Sequence, residues 1–174
     1  MGLLTESMDG LARPIHFRGV CTVLTKLFNI MQPDNAYFGQ KDAQQLAIVK
    51  KMVFDLNFDV KITGCPIVRE DDGLAKSSRN TYLSPEERAA APVLSRSIAE
   101  GQRAIKAGMA SADLVAQMMK VLDSEPLADT EYVKVVDALT MQPVETIDRP
   151  VLVAMAVHVG PTRLIDNFSW EPED

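Results

Sequence analysis

The chain has 174 residues, enough for one compact domain or two small ones with a real buried core. Its composition, 47% apolar and 24% charged, is that of an ordinary globular protein and excludes a disordered chain. A net charge of −6 argues against a surface for nucleic acid or anionic membrane, since those are held by an excess of Lys and Arg, so any phosphate site must be local.

The amino end, "MGLLTESMDG", lacks a basic region followed by an apolar stretch, and the longest apolar run, Val151 to Val159, is far too short to span a bilayer. Cys21 and Cys65 are far apart in apolar contexts and read as reduced thiols. A cytoplasmic location is expected.

From His16 to Met31, apolar residues at Val20, Val23, Leu24, Leu27, Phe28 and Met31 follow the spacing of a helix burying one stripe, and Pro33 marks its end. "NAYFG" reads as a short strand. "DAQQLAIVKKMVFDLN" reads as a second helix burying Leu46, Val49, Met52, Val53 and Leu56. "FDVKITG" and "CPIVRE" then read as strands. Helix, strand, helix, strand is the order of a parallel α/β sheet, whose ligands sit where strands give way to helices. About three strands are too few for a covered parallel sheet, so this part reads as the back half of a larger one.

At "LSPEER", Ser84 as N-cap, Pro85 as first helical residue and Glu87 three after the cap predict a capping box. The helix is expected to break at Pro92 and run on to Gly108, with a further helix from Ala112 to about Leu122 capped by Ser111. "EYVKVVDA", "VLVAMAVHVG" and "TRLID" are strand-like. The expected organisation is a partial Rossmann-like α/β domain over 1–83 and a small α+β domain with an antiparallel sheet over 84–174.

Two polar stretches carry the chemistry. In "FGQKDAQQ", Asp42 as N-cap with Gln45 as reciprocal partner would start a helix with no ligand involved. The same stretch suits an anion: Gly39 admits a ligand to the backbone, Lys41 supplies a cation, and the helix N-terminus attracts negative charge. "GLAKSSRN" reads as a solvated surface loop or, functionally, as a mobile phosphate clamp. In the second reading Lys76 and Arg79 are the cations, Ser77 and Ser78 the donors, and Gly73 the hinge. Of the two histidines, His158 in its apolar strand is expected to be a packed core residue, and His16, beside Arg13 and Arg18, to cap a helix or line a cleft.

Taken together, "RPIHFRGVCTVLTKLFNIMQPDNAYFGQKDAQQL", "CPIVREDDGLAKSSRNTYLSPEER" and "TRLIDN" closely resemble the pantothenate synthetases, or pantoate–β-alanine ligases. The resemblance runs from about Ala12 to Asn167. It implies the HIGH/KMSKS nucleotidyltransferase fold, with "KSSRN" as its second signature. It also implies a reaction in which pantoate attacks the α-phosphorus of ATP, pyrophosphate leaves, and β-alanine converts pantoyl adenylate to pantothenate and AMP.

Carried over residue by residue, the resemblance implies that Gly39, Gln40, Lys41, Asp42, Val68, Lys76, Ser77, Ser78 and Arg79 bind ATP with Mg2+, and that Gln45 holds pantoate. Lys41, Lys76, Ser77 and Arg79 would stabilise the charge that builds on the phosphates, and no side chain acts as a nucleophile. The family's paired-histidine motif and its first-half glutamine for pantoate and β-alanine have no counterpart in this sequence. Ile15 stands where glycine is common, and Lys76 where Met or Leu is.

The chain is therefore expected to be the carboxyl-terminal portion of such an enzyme, inactive alone, with exposed apolar faces that favour a homodimer or other self-association. A non-catalytic nucleotide-binding or subunit-assembly module is the alternative.

Overall fold

The computed structural model describes residues 2–5, 8–12 and 15–172; Arg13 lies outside the described residues. The chain forms two compact units. One extends to Pro66 and takes in Leu139–Gln142; the other comprises Ile67–Ala138 and Pro143 onward. The sequence reading draws its boundary at 83/84, whereas here the stretch from Ile67 groups with the carboxyl-terminal elements.

In the first unit, two short helical turns, α1 (Gly2–Thr5) and α2 (Asp9–Ala12), precede helix α3 (His16–Met31). Gln32 closes α3 in the left-handed region, its N–H donating to Phe28 O at 2.9 Å, and Pro33 follows. Strand β1 (Asn35–Gly39), helix α4 (Ala43–Asp55) and strand β2 (Lys61–Cys65) complete the unit. The strands pair in parallel from Asn35 opposite Lys61 to Gly39 opposite Cys65, with α4 as the crossover that a parallel pair requires.

Phe17, Cys21 and Phe28 of α3 pack with Ile48 and Met52 of α4, and Phe58 meets Phe28 edge-on at 5.7 Å between ring centres. The expected single stripe on α3 is only partly right. Phe17, Cys21 and Phe28 are buried, but Val23, Leu27, Ile30 and Met31 are exposed, so a second apolar face of the helix is uncovered among the described residues. On α4, Leu46, Val49 and Met52 are buried as expected, whereas Leu56 is exposed and Ile48 is buried in its place.

"CPIVRE" does not add a third strand. After Cys65, Pro66 offers no N–H, and residues 68–76 fold back on themselves, joined by a single antiparallel bridge from Arg69 to Ala75. The parallel sheet thus has two strands.

The second unit is built on a three-stranded antiparallel sheet in the order β4 (Ala128–Asp137), β6 (Val151–Val159), β7 (Thr162–Trp170). The central strand β6 is buried at every position from Val151 to Val157, and helices cover the face that carries Val151, Val153, Met155 and Val157. Those helices are α5 (Pro85–Ala90), α6 (Val93–Ala104) and α7 (Ser111–Leu122), which contribute Ala90, Val93, Leu94, Ile98, Leu114, Met118 and Leu122 to the core. Gly101 permits the close approach of α6: a Cβ there would stand 2.7 Å from Met118 Sδ and 3.0 Å from Phe168 Cε1. A short pair, β3 (Met109–Ala110) with β5 (Thr146–Ile147), holds the start of α7.

The predicted capping box is present. Ser84 Oγ accepts from Glu87 N–H at 3.2 Å and Glu87 Oε2 accepts from Ser84 N–H at 2.8 Å. The helix breaks at Pro92 as expected, but α6 ends at Ala104, short of Gly108. Ser111 is not the cap of α7; Ala110 is, and the Ser111 N–H is drawn to Glu145 O by the β3–β5 pairing. Among the described residues no helix is long and apolar enough to cross a membrane.

Candidate functional site

The first polar stretch lies at the carboxyl end of β1. Gly39 leads into a 3₁₀ turn, Gln40–Asp42, that feeds α4, so the positive end of the helix dipole lies beside Lys41. Gly39 adopts φ −67° and ψ 132°, which any residue can adopt, and nothing lies within 4 Å of where its Cβ would stand. Neither backbone geometry nor packing therefore requires glycine here.

The expected Asp42–Gln45 capping pair does not form: Asp42 makes no side-chain cap, because the 3₁₀ turn carries its backbone away from the extended geometry that a cap needs. Asp42 is exposed, while Lys41 and Gln45 are half-buried. The neighbouring Gln44, which sequence reasoning passed over, is buried. Its Oε1 accepts from Asp9 N–H at 3.0 Å and its Nε2 donates to Leu4 O at 2.8 Å. The two glutamines therefore differ: Gln44 has its amide committed to the main chain of the amino-terminal turns, and Gln45 carries no side-chain hydrogen bond among the described residues.

The second stretch is more built than a solvated loop. Leu74 is 2% exposed and joins the core of its unit, and Ala75 is also buried, so "GLAKSSRN" is in part a core segment. Residues 68–76 form a closed turn, with Glu70 N–H to Leu74 O at 2.8 Å, Gly73 N–H to Glu70 O at 2.9 Å and Lys76 N–H to Val68 O at 2.9 Å. Gly73, expected as a hinge, is a turn residue at φ +87° whose absent Cβ would stand 3.0 Å from Ser95 Oγ.

Beyond the turn, Ser77 caps a 3₁₀ segment, Ser78–Tyr82, by accepting from Arg79 N–H at 3.2 Å. Asn80 Nδ2 donates to Ala75 O at 3.1 Å, leaving its buried Oδ1 without a partner among the described residues. Val68, Lys76 and Ser78 are exposed. Lys76 stands 3.6 Å from Glu70, a solvated and weak pair, and Arg79 NH1 donates to Arg163 O at 3.4 Å. The structure thus gathers Val68, Lys76, Ser77, Ser78 and Arg79 on one stretch of the second unit, and Gly39, Gln40, Lys41, Asp42 and Gln45 on one turn of the first.

Sequence reasoning also missed the group beneath the second stretch. Arg69 reaches Asp166 of β7 with two bonds, NH1 to Oδ2 at 2.7 Å and NH2 to Oδ1 at 3.0 Å, and its NH1 also donates to Gly73 O at 3.0 Å. The signal available was the lone carboxylate inside the apolar "TRLIDN" strand.

His158 is not the expected core histidine. It is half-exposed on β6, with Nε2 3.6 Å from Glu131 Oε2, and Glu131 is held by Arg163 at 2.6 Å and 3.3 Å. The Arg163 guanidinium holds the Glu131 carboxyl below the usual carboxylate range. His16 is half-buried, its ring 5.2 Å from that of Phe17. Both cysteines are free, and burial pushes the Cys21 thiol up. Two surface depressions, one lined by Lys106, Asp113 and Lys120 and one by Lys50, Phe54 and Phe58, include none of the sequence-predicted site residues.

Comparison with known proteins gives the chemistry a context. The family profile described as Pantoate-beta-alanine ligase matches residues 1–169. A protein of Ruminiclostridium cellulolyticum named pantothenate synthetase is 62% identical over 174 residues, covering 99% of this chain and 62% of that relative. A protein of Enterococcus faecalis with the same name is 56% identical, over 97% of this chain and 60% of the relative. The crystal structure of pantothenate synthetase from Thermus thermophilus superposes with a TM-score of 0.91 at 42% identity, covering 97% of this chain and 61% of that one. A Francisella tularensis pantoate-beta-alanine ligase complexed with beta-gamma ATP and beta-alanine gives a TM-score of 0.69 at 28% identity, over 95% of this chain and 54% of that one. The chain thus spans about three fifths of the length of the curated relatives it matches. With its small parallel sheet, its antiparallel sheet and this profile match, the chain belongs to the pantoate-beta-alanine ligase family.

Proposed function

We propose that this chain carries the ATP- and pantoate-binding portion of a pantoate–β-alanine ligase, on a partial Rossmann-like domain of the HIGH/KMSKS nucleotidyltransferase type with a small carboxyl-terminal domain. In this reading Gly39, Gln40, Lys41 and Asp42, with Val68, Lys76, Ser77, Ser78 and Arg79, serve one ATP, and Gln45 serves pantoate. The observation that carries it is Gly39: a glycine demanded by neither φ nor packing, beside Lys41 at the start of a helix. Such a position suits a ligand that must approach the main chain.

The chemistry asks for stabilisation of phosphate charge. The pantoate carboxylate oxygen bonds to the α-phosphorus as the bond to pyrophosphate breaks, and the β-alanine amine then displaces AMP from the acyl carbon. Lys41, Lys76 and Arg79, with donors from Ser77, offset the charge that builds on the departing pyrophosphate. Gln45, with donor and acceptor both uncommitted among the described residues, suits a hydroxy acid. Among the described residues no group of three or more His, Cys, Asp or Glu gathers as a metal cage. Mg2+ would supply further phosphate charge neutralisation, and Asp42 is the carboxylate among the proposed nucleotide residues that could help to hold it.

Calorimetry with ATP and an assay for pantothenate test this reading. ATP binding that is lost in Lys41→Ala, no turnover by the chain alone, and turnover on adding a separately made amino-terminal portion of a relative are the expected results. Absence of ATP binding to the unaltered chain, or full turnover by it alone, would overturn the corresponding part. The exposed apolar face of α3 favours one alternative, a non-catalytic nucleotide-binding or subunit-assembly module, which predicts ATP binding without recovery of turnover.

A further inference from the structure

We propose that Asp166, through Arg69, is the positioning residue that fixes the stretch bearing Lys76, Ser77 and Arg79; the nucleotide role of that stretch rests on the function proposed above. Asp166 is 2% exposed, on a strand that otherwise faces the core with Leu164 and Phe168. A buried carboxylate is costly unless paired, and an apolar residue of similar size would pack there without that penalty. The pair is thus poorly explained as a source of net stability and well explained as a device that fixes geometry.

The geometry supports this role. The two parallel bonds from Arg69 to Asp166 fix the guanidinium plane as well as its distance. The same guanidinium donates to Gly73 O, so the base of the turn and its tip are tied to one carboxylate. Asp166 is itself oriented by Asn167 N–H, which donates to Oδ1 at 2.8 Å. Lys76 leaves the turn directly after its N–H closes on Val68 O, and Arg79 is tied once more to β7 through Arg163 O. Strand β7 therefore holds the stretch at both ends.

The test is the double replacement Arg69→Met with Asp166→Leu, which removes both charges and leaves neither unpaired, with Asp166→Asn as a second, single-site variant. Two measurements are made on the full 174-residue chain: amide hydrogen exchange at Glu70, Gly73, Lys76 and Arg79, and ATP affinity by calorimetry. The expected result is an unchanged or higher midpoint of thermal unfolding, exchange at those amides faster by roughly 10- to 100-fold, and ATP binding weaker by roughly tenfold or more, as for loss of charged hydrogen bonds. Asp166→Asn, which keeps shape and one acceptor but leaves the Arg69 charge without its carboxylate, speeds the same exchange and weakens ATP binding while lowering the unfolding midpoint. Wild-type exchange rates at these amides in both variants would overturn the anchor, as would wild-type ATP affinity alongside faster exchange. If the unaltered chain binds no ATP, it is the nucleotide assignment that fails, and exchange alone decides whether Asp166 anchors the turn. Should the double variant not fold, Asp166→Asn carries both measurements.

Discussion

The parallel pair and the three-stranded antiparallel sheet follow opposite patterns of burial. In the antiparallel unit, β6 is covered along its length and its flanking helices present Leu94, Leu114, Met118 and Leu122 to it, each almost wholly buried. In the parallel unit, neither strand has a fully buried residue, and Val23, Leu27, Ile30 and Met31 of α3, with Tyr37 and Phe54, face outward. A parallel pair normally sits inside a larger covered sheet, whereas an antiparallel sheet closed by hairpins can complete its own core. The difference teaches that stability here is regional, and that apolar content alone says little about which face is satisfied.

The sharpest way to break this comparison is in the antiparallel core. Leu114→Ala should cost about 2–5 kcal/mol in denaturant unfolding, since the cavity cannot collapse between helix and sheet. A cost near zero would show that the unit is less well packed than its burial implies. Gly101→Ala should come next, at about 1–3 kcal/mol, because the added methyl meets Met118 and Phe168, with the flexibility of methionine lowering the figure.

On the parallel side, Ile30→Ser, at 76% exposure, should change stability by no more than about 0.5 kcal/mol while reducing any self-association in sedimentation. A large loss of stability there would mean that α3 is buried in a way this chain does not display. Gly39→Ala should likewise leave the unfolding midpoint within about 0.5 kcal/mol yet weaken ATP binding, which separates a ligand requirement from a folding one.

The smallest effect concerns pH. Glu131 has its folded pKa lowered by Arg163, so its stabilisation is present above the ordinary carboxylate value and is lost as pH falls through the folded value. Glu131→Gln should therefore be less stable than the parent near neutrality by at most about 1 kcal/mol, and the gap should close below about pH 4.5. A gap that widens in acid would reverse the sign assigned to this pair.

Much of the architecture was legible in the residues. The Ser84–Glu87 capping box, the break at Pro92, the stop at Gln32–Pro33 and the three antiparallel strands follow from local rules: short-range hydrogen bonds, the missing proline N–H and the period of apolar residues. The two stretches proposed as the site also stood out, since glycine, lysine and hydroxyls concentrated in short polar segments are the chemistry that an anion-binding reading asks for.

What required the folded chain was every choice made between distant residues. No local rule distinguishes Gln44, engaged by the main chain at Leu4 and Asp9, from Gln45 beside it, or reveals that Leu74 enters a core and that Gly73 turns against Ser95. Arg69 and Asp166 lie 97 positions apart, and only the packing of the turn on β7 brings them together. The sequence determined the helices, strands and chemical character through interactions over a few residues. Tertiary structure decided which apolar faces are covered and which polar groups are paired, because burial and pairing depend on neighbours that periodicity does not name.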